Sequence, residues 1–149
     1  MDEVHEERYS NGQLRLRFNY KNWKMDGLSE WWYTNGQLLE QAYFKNGCLD
    51  GSYTSWYENG QLMCRCTYKN GKLTGLYEAW HENGQLLART NYKNNERDGL
   101  YEEWYSNGQL KERSTYKNNE LDELYERWDE NGKLKFQPNY KDEVKVEAS

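Results

Sequence analysis

Six Asn-Gly pairs recur at a constant step of 24 residues, at Asn11-Gly12, Asn35-Gly36, Asn59-Gly60, Asn83-Gly84, Asn107-Gly108 and Asn131-Gly132. No insertion interrupts the spacing, so each copy must repeat one local geometry and meet an equivalent neighbour. Other columns keep the same step. Leu14, Leu38, Leu62, Leu86, Leu110 and Leu134 follow the pairs, Tyr20, Phe44, Tyr68, Tyr92, Tyr116 and Tyr140 come six residues later, and Trp32, Trp56, Trp80, Trp104 and Trp128 precede them. A single array over residues 1–149 is expected, with no internal linker and with a disordered tail over 142–149.

Within a unit such as Leu100 to Asn119, two runs of strand-forming residues flank Asn107-Gly108. Asn-Gly between such runs signals a hairpin, because both residues tolerate positive φ. The second junction reads as a longer turn carrying Asp26-Gly27, Asp50-Gly51, Thr74-Gly75 or Asp98-Gly99. Regular Gly and Asn breakers and short Tyr-, Trp- and Thr-rich segments disfavour helix. The expected fold is all-β: an elongated, single-layer antiparallel meander of six 24-residue hairpin repeats, with eleven or twelve strands. A two-residue Asn-Gly loop places Tyr105 opposite Leu110, whereas a three-residue loop with Gly108 in a bulge places Trp104 there. The second choice divides the faces more cleanly. It groups Leu100, Trp104, Leu110 and Tyr116 on a packed face and leaves Tyr101, Tyr105, Lys111, Arg113 and Thr115 on the other.

Composition fits a thin layer rather than a ball-shaped core. Hydrophobic residues are only 36% of the chain, yet aromatics reach 16%, which a disordered chain does not show. A net charge of −5 argues against nucleic acid and disfavours anionic lipid as partners. Cys48, Cys64 and Cys66 are odd in number and lack framework spacing, so they read as reduced thiols, with Cys64 and Cys66 in the small packing columns of Ala42, Ala88 and Thr90. With neither a signal peptide nor an apolar run of the ~18 residues that a spanning helix needs, a soluble cytoplasmic protein is expected.

Nothing assigns catalysis. The Glu30, Glu78, Glu102 and Glu126 column repeats along the array, as a solvated strand face does, and His5 and His81 join no triad-like constellation. No phosphate loop or four-ligand metal spacing is present either. The expectation is therefore a non-enzyme with no catalytic, cofactor or metal residues.

The unit Asp98-Gly-Leu-Tyr-Glu-Glu-Trp-Tyr-Ser-Asn-Gly-Gln-Leu-Lys, followed by Tyr116-Lys-Asn-Asn, resembles the MORN repeat, in the variant found in YwqK-like bacterial antitoxins. All six units resemble it, most closely the four around Asn35, Asn59, Asn83 and Asn107. Arg8 occupies the Trp column before Asn11 and Glu123 replaces the junction Gly, departures that suit capping units. The resemblance implies a twisted, grooved sheet that binds or tethers proteins, with membrane association in some members and toxin neutralisation in the YwqK-like branch.

Two sets of residues suit partner binding. Tyr33, Tyr57 and Tyr105 form one ladder, with Arg17, Arg65, Arg89 and Arg113 expected beside it, and Tyr and Arg are enriched where proteins meet. Trp32, Trp56, Trp80 and Trp104 offer a second surface for a partner's helix or extended peptide. The leading expectation is a protein-binding scaffold. Lys21, Lys45, Lys69, Lys93, Lys117 and Lys141 offer a basic strip for phosphoinositides, opposed by nearby acids, and unpaired edge strands offer self-association. Far-UV circular dichroism should show a β-type spectrum, and a predominantly helical one would contradict the whole reading.

Overall fold

The computed structural model describes residues 2–136. The chain forms one antiparallel sheet whose strand order follows the sequence. Its strands are β1 (Asp2–Arg8), β2 (Leu14–Lys21), β3 (Lys24–Trp32), β4 (Leu38–Lys45), β5 (Cys48–Trp56), β6 (Leu62–Lys69), β7 (Lys72–Trp80), β8 (Leu86–Lys93), β9 (Glu96–Arg97), β10 (Gly99–Trp104), β11 (Leu110–Lys117), β12 (Glu120–Trp128) and β13 (Leu134–Phe136). The count exceeds eleven or twelve because one strand is interrupted at Asp98, which separates β9 from β10. Contacts divide the described residues into two compact units, the first ending at residue 73 and the second beginning at residue 74. The expected tail at 142–149, with Pro138, Tyr140 and Lys141, lies outside the described residues. Among the described residues no helix is long and apolar enough to cross a membrane.

Two kinds of corner alternate. At the first, Tyr105 N–H donates to the Gln109 carbonyl at 2.9 Å and Gly108 N–H to the Tyr105 carbonyl at 3.0 Å. These bonds enclose a three-residue loop of Ser106, Asn107 and Gly108, and Gly108 sits at φ +91. Trp104 then pairs with Leu110, the register expected from a bulged loop. Only the glycine is left-handed at this corner. Asn107 instead accepts Gln109 N–H at its Oδ1, at 2.9 Å, and Asn11, Asn35, Asn59 and Asn83 repeat that bond.

The second corner is tighter than the sequence suggested. It is a two-residue turn with both residues left-handed, at Asn46-Gly47 (φ 51 and 83) and Asn70-Gly71 (φ 52 and 80) in the first unit. In the second unit Asn94-Asn95 and Asn118-Asn119 adopt the same conformation. This is the geometry that favours Asn-Gly in tight hairpins. Gly27, Gly51, Gly75 and Gly99, expected in this turn, lie instead inside or at the start of strands. Gly51 is required there: at φ +122 an added Cβ would come within 3.1 Å of the Tyr43 Cβ. Asn22-Trp23 keeps the tight turn although its second residue, at φ +66, is a tryptophan.

The corners decide which side chains share a face, and here the expected division fails. Lys111 is an extra residue between the Trp104–Leu110 and Glu103–Glu112 pairs, so alternation inverts beyond it. Leu100 therefore faces Thr115, Glu102 faces Arg113, and Tyr101 faces Ser114. Arg113 and Thr115 share the face of Leu100 and Trp104, while Tyr116 belongs with Tyr101.

The face expected to be packed is the more open one. Except for Glu102, the buried described residues lie on the tyrosine-bearing face of their unit: Leu16, Ser29, Ala42, Ser55 and Cys66 in the first, Ala88, Thr90 and Ser114 in the second. Most are small. A single sheet has no second layer to cover it, so neighbouring tyrosine rings fold over small residues and bury them from the side. Tyr53 meets Tyr68 edge-on at 6.0 Å, Tyr77 meets Tyr92 at 5.8 Å, and Tyr101 meets Tyr116 at 6.1 Å, pairs that each contribute about 0.5–1.5 kcal/mol beyond area burial. Tyr53 donates to Glu40 at 2.7 Å and Tyr101 to Glu103 at 2.8 Å. Burial, followed by these carboxylates, pushes both phenols well above their ordinary range. Cys64 and Cys66 belong to the same layer. The hydrogen bond with Cys64, then burial, pushes the Cys66 thiol up, as befits an unreactive packing group.

Trp23→Gly should raise stability by about 0.5–1 kcal/mol, since a left-handed bulky residue costs more than the extra chain entropy of glycine. Gly51→Ala should lower it by about 1–3 kcal/mol through backbone strain and the Tyr43 contact. Urea denaturation midpoints of the two variants test both signs.

Candidate functional site

The open face carries the tryptophans and, as the inverted alternation dictates, the arginines. In the second unit a charge row crosses the strands through the paired residues Arg89, Glu102 and Arg113. Arg89 Nη2 lies 3.2 Å from one Glu102 oxygen and Arg113 Nη2 lies 3.4 Å from the other. Glu102 is only 8% exposed. A carboxylate can lose that much water because each oxygen has a cation. Arg89 also lies over Trp104, 5.7 Å from the ring centre. In the first unit Glu6, Arg17, Glu30 and Gln41 form the matching row, with Arg17 2.9 Å from Glu6, 3.8 Å from Glu30 and over Trp32 at 5.8 Å. Arg65 takes its place through the Gln41–Thr54 and Thr54–Arg65 pairs.

Each row is bordered by apolar columns. Trp32–Leu38 and Trp56–Leu62 lie along one border in the first unit, and Trp80–Leu86, Trp104–Leu110 and Trp128–Leu134 in the second. Leu76 and Leu100 stand on the other border, 45% and 41% exposed. Half-buried tryptophan stacked with arginine, beside exposed leucine, leaves large apolar area available together with directional donors.

The Tyr33 and Tyr105 ladder has a different place. Tyr33 Oη donates to the Trp56 carbonyl at 2.7 Å and Tyr105 Oη to the Trp128 carbonyl at 2.8 Å, each reaching from one hairpin tip to the next. Tyr9 makes the same bond to Trp32, and His81 Nε2 donates to the Trp104 carbonyl at 2.8 Å. The asparagine of the tip adds a second strap: Asn35 Nδ2 bonds the Glu58 carbonyl at 3.2 Å and Asn107 Nδ2 the Glu130 carbonyl at 3.0 Å. At the last described hairpin Asp129 stands in the tyrosine position. Its carboxylate accepts Asn131 and Lys133 N–H at 2.9 Å, bonds that hold its pKa below the usual range, led by the one from Lys133. Lys111 Nζ pairs with Glu103 at 3.0 Å and lies 5.6 Å from the Tyr105 ring, on the tyrosine side of the sheet. The expectation that tyrosine and arginine ladders lie together is thus corrected: the arginines accompany Trp32, Trp56, Trp80 and Trp104. Glu102 and Glu30, read from sequence as solvated, are the ionic centres of the rows. Their position opposite Arg columns in alternate strands was the available signal, hidden by the Lys111-type bulge.

Architecture and tip bonding define an antiparallel hairpin-repeat protein stapled from unit to unit by side-chain-to-carbonyl bonds. A family model described as MORN repeat variant matches residues 4–22, 25–46, 49–70, 73–94, 97–118 and 124–142, and the chain belongs to that family. The family is non-catalytic, and its repeats generally bind proteins or membranes. No curated protein matches the chain.

Tyr33→Phe removes one inter-repeat donor and leaves a carbonyl without its partner, which should cost about 1–2 kcal/mol. Hydrogen exchange should localise the loss to the Trp32 and Trp56 hairpins, and uniform weakening across the chain would contradict a local staple.

Proposed function

We propose that this chain is a non-enzymatic scaffold whose tryptophan–arginine face binds a protein partner. The observation that carries the reading is the stacking of Arg17 on Trp32 and Arg89 on Trp104 on a face that leaves Leu76 and Leu100 exposed. Tryptophan and arginine are the residues most enriched in binding hot spots, and a rigid sheet holds them with little entropy left to lose. The Arg89–Glu102–Arg113 row adds register, since a partner must match alternating charges between the apolar borders. Tyr33 and Tyr105 support the face by fixing the hairpins and leave their rings, not their hydroxyls, for contact.

Toxin neutralisation is a specific form of this reading, supported by the net charge of −5, which favours a basic partner such as a nuclease. Lipid tethering through the lysines of the tight turns and pairing through edge strands rank below it, because acidic residues such as Asp26 and Asp50 stand beside those lysines and β1 carries four carboxylates.

Paired substitutions within the second unit separate the faces. Trp104→Ala with Arg89→Ala should weaken partner capture from native lysate at least about tenfold, the scale of one hot spot. Tyr101→Phe on the opposite face should leave it within about twofold. Equal loss from both would reject the assignment.

A further inference from the structure

Trp23 has no counterpart in the other tight turns, where Gly47, Gly71, Asn95 and Asn119 occupy its position. It holds a left-handed backbone and is 91% exposed, so neither local conformation nor core packing accounts for it. It borders a cavity of ≈ 430 Å³ lined also by Glu3, Val4, His5, Tyr20 and Asn22. Glu3 pairs with Tyr20 and shares its face. Phe18 backs Tyr20 edge-on at 6.3 Å, and His5 is stacked on Phe18 and 3.4 Å from Glu7.

The charges around this cavity are sorted by side. Lys21 pairs with Asp2 and Lys24, on the face opposite Tyr20, and lines a separate groove with Asp26 and Phe44. Lys24 packs its stem toward Gly47. Along β1, Glu6 is engaged by Arg17 and Glu7 by Arg15. The carboxylates of Asp2 and Glu3 have no partner among the described residues. The cavity thus offers the Trp23 and Tyr20 rings, the His5 imidazole and one uncommitted carboxylate at the edge of an acidic strand.

We propose that this cavity is a binding site for an arginine side chain of a protein partner, with the Trp23 and Tyr20 rings stacking on the guanidinium and Glu3 pairing with it. A planar guanidinium suits the site better than an ammonium, because it stacks on rings and bonds a carboxylate through two donors at once. The acidic β1 strand selects a basic segment around that arginine. The source of the arginine rests on the protein-binding reading, but the site lies apart from the tryptophan–arginine face and is testable without the partner.

The experiment is an NMR titration of the full chain with N-acetyl-arginine amide, repeated with the neutral isostere N-acetyl-citrulline amide. The Trp23 indole and Tyr20 signals should shift saturably with the arginine compound and at least about tenfold more weakly with citrulline. Trp23→Gly, which suits the turn, should abolish the Tyr20 response while the other tryptophan indoles stay in place. Glu3→Gln should weaken it several-fold. An equal response to citrulline, or arginine-induced shifts of Tyr20 that survive Trp23→Gly, would overturn the proposal and leave the tryptophan–arginine face untouched.

Discussion

Among the described residues two turns alternate, a three-residue loop ending in a left-handed glycine and a two-residue loop in which both residues are left-handed. The unequal lengths matter more than the turns themselves. Around the longer loop the returning strand carries a residue with no opposite number, and that bulge exchanges the faces of everything after it. Because both corners recur in step with the columns, each inversion falls at the equivalent place, and Trp stays with Arg while Tyr stays with Ala, Ser and Cys. A turn of different length in any copy would send its arginine to the wrong side.

The two faces solve different problems of a sheet without a second layer. On the tyrosine side the centres of most inner strands carry small residues such as Ala42, Ser55, Cys66, Ala88 and Ser114, and rings from neighbouring strands close over them. Ser114 and Thr90 have hydroxyls with no partner among the described residues, so size rather than bonding suits them to the position. On the other side bulk is left standing. Arginine stems and indole rings shield one another, and Glu102 is sequestered only because two cations flank it. The first arrangement supplies most of the burial and the second most of the recognisable chemistry.

Strand content, order and the Trp104–Leu110 register were legible from the spacing of Asn-Gly, because a turn and a period need no knowledge of distant contacts. The second turn was misread because Asp50-Gly51 looks like a corner as much as Asn46-Gly47 does; the left-handed backbone at Gly51 and the closeness of Tyr43 explain a glycine within the strand. The face division was missed at Lys111, whose extra place in the ladder has no mark in composition. Tyr33, Tyr57 and Tyr105 were visible as a ladder, but the bonds of Tyr33 and Tyr105 reach carbonyls 23 residues away, and a backbone acceptor leaves no trace in the identity of its residue.

The straps between hairpin tips also give the array a polarity. Tyr9, Tyr33, His81 and Tyr105 each reach forward to a later hairpin, whereas Asp129 turns its oxygens back onto its own loop. The copies are alike in backbone yet not exchangeable in order. Moved to an inner position, the Asp129 hairpin would present an acceptor where its successor needs a donor, and the seam it created would be the first place for the sheet to part.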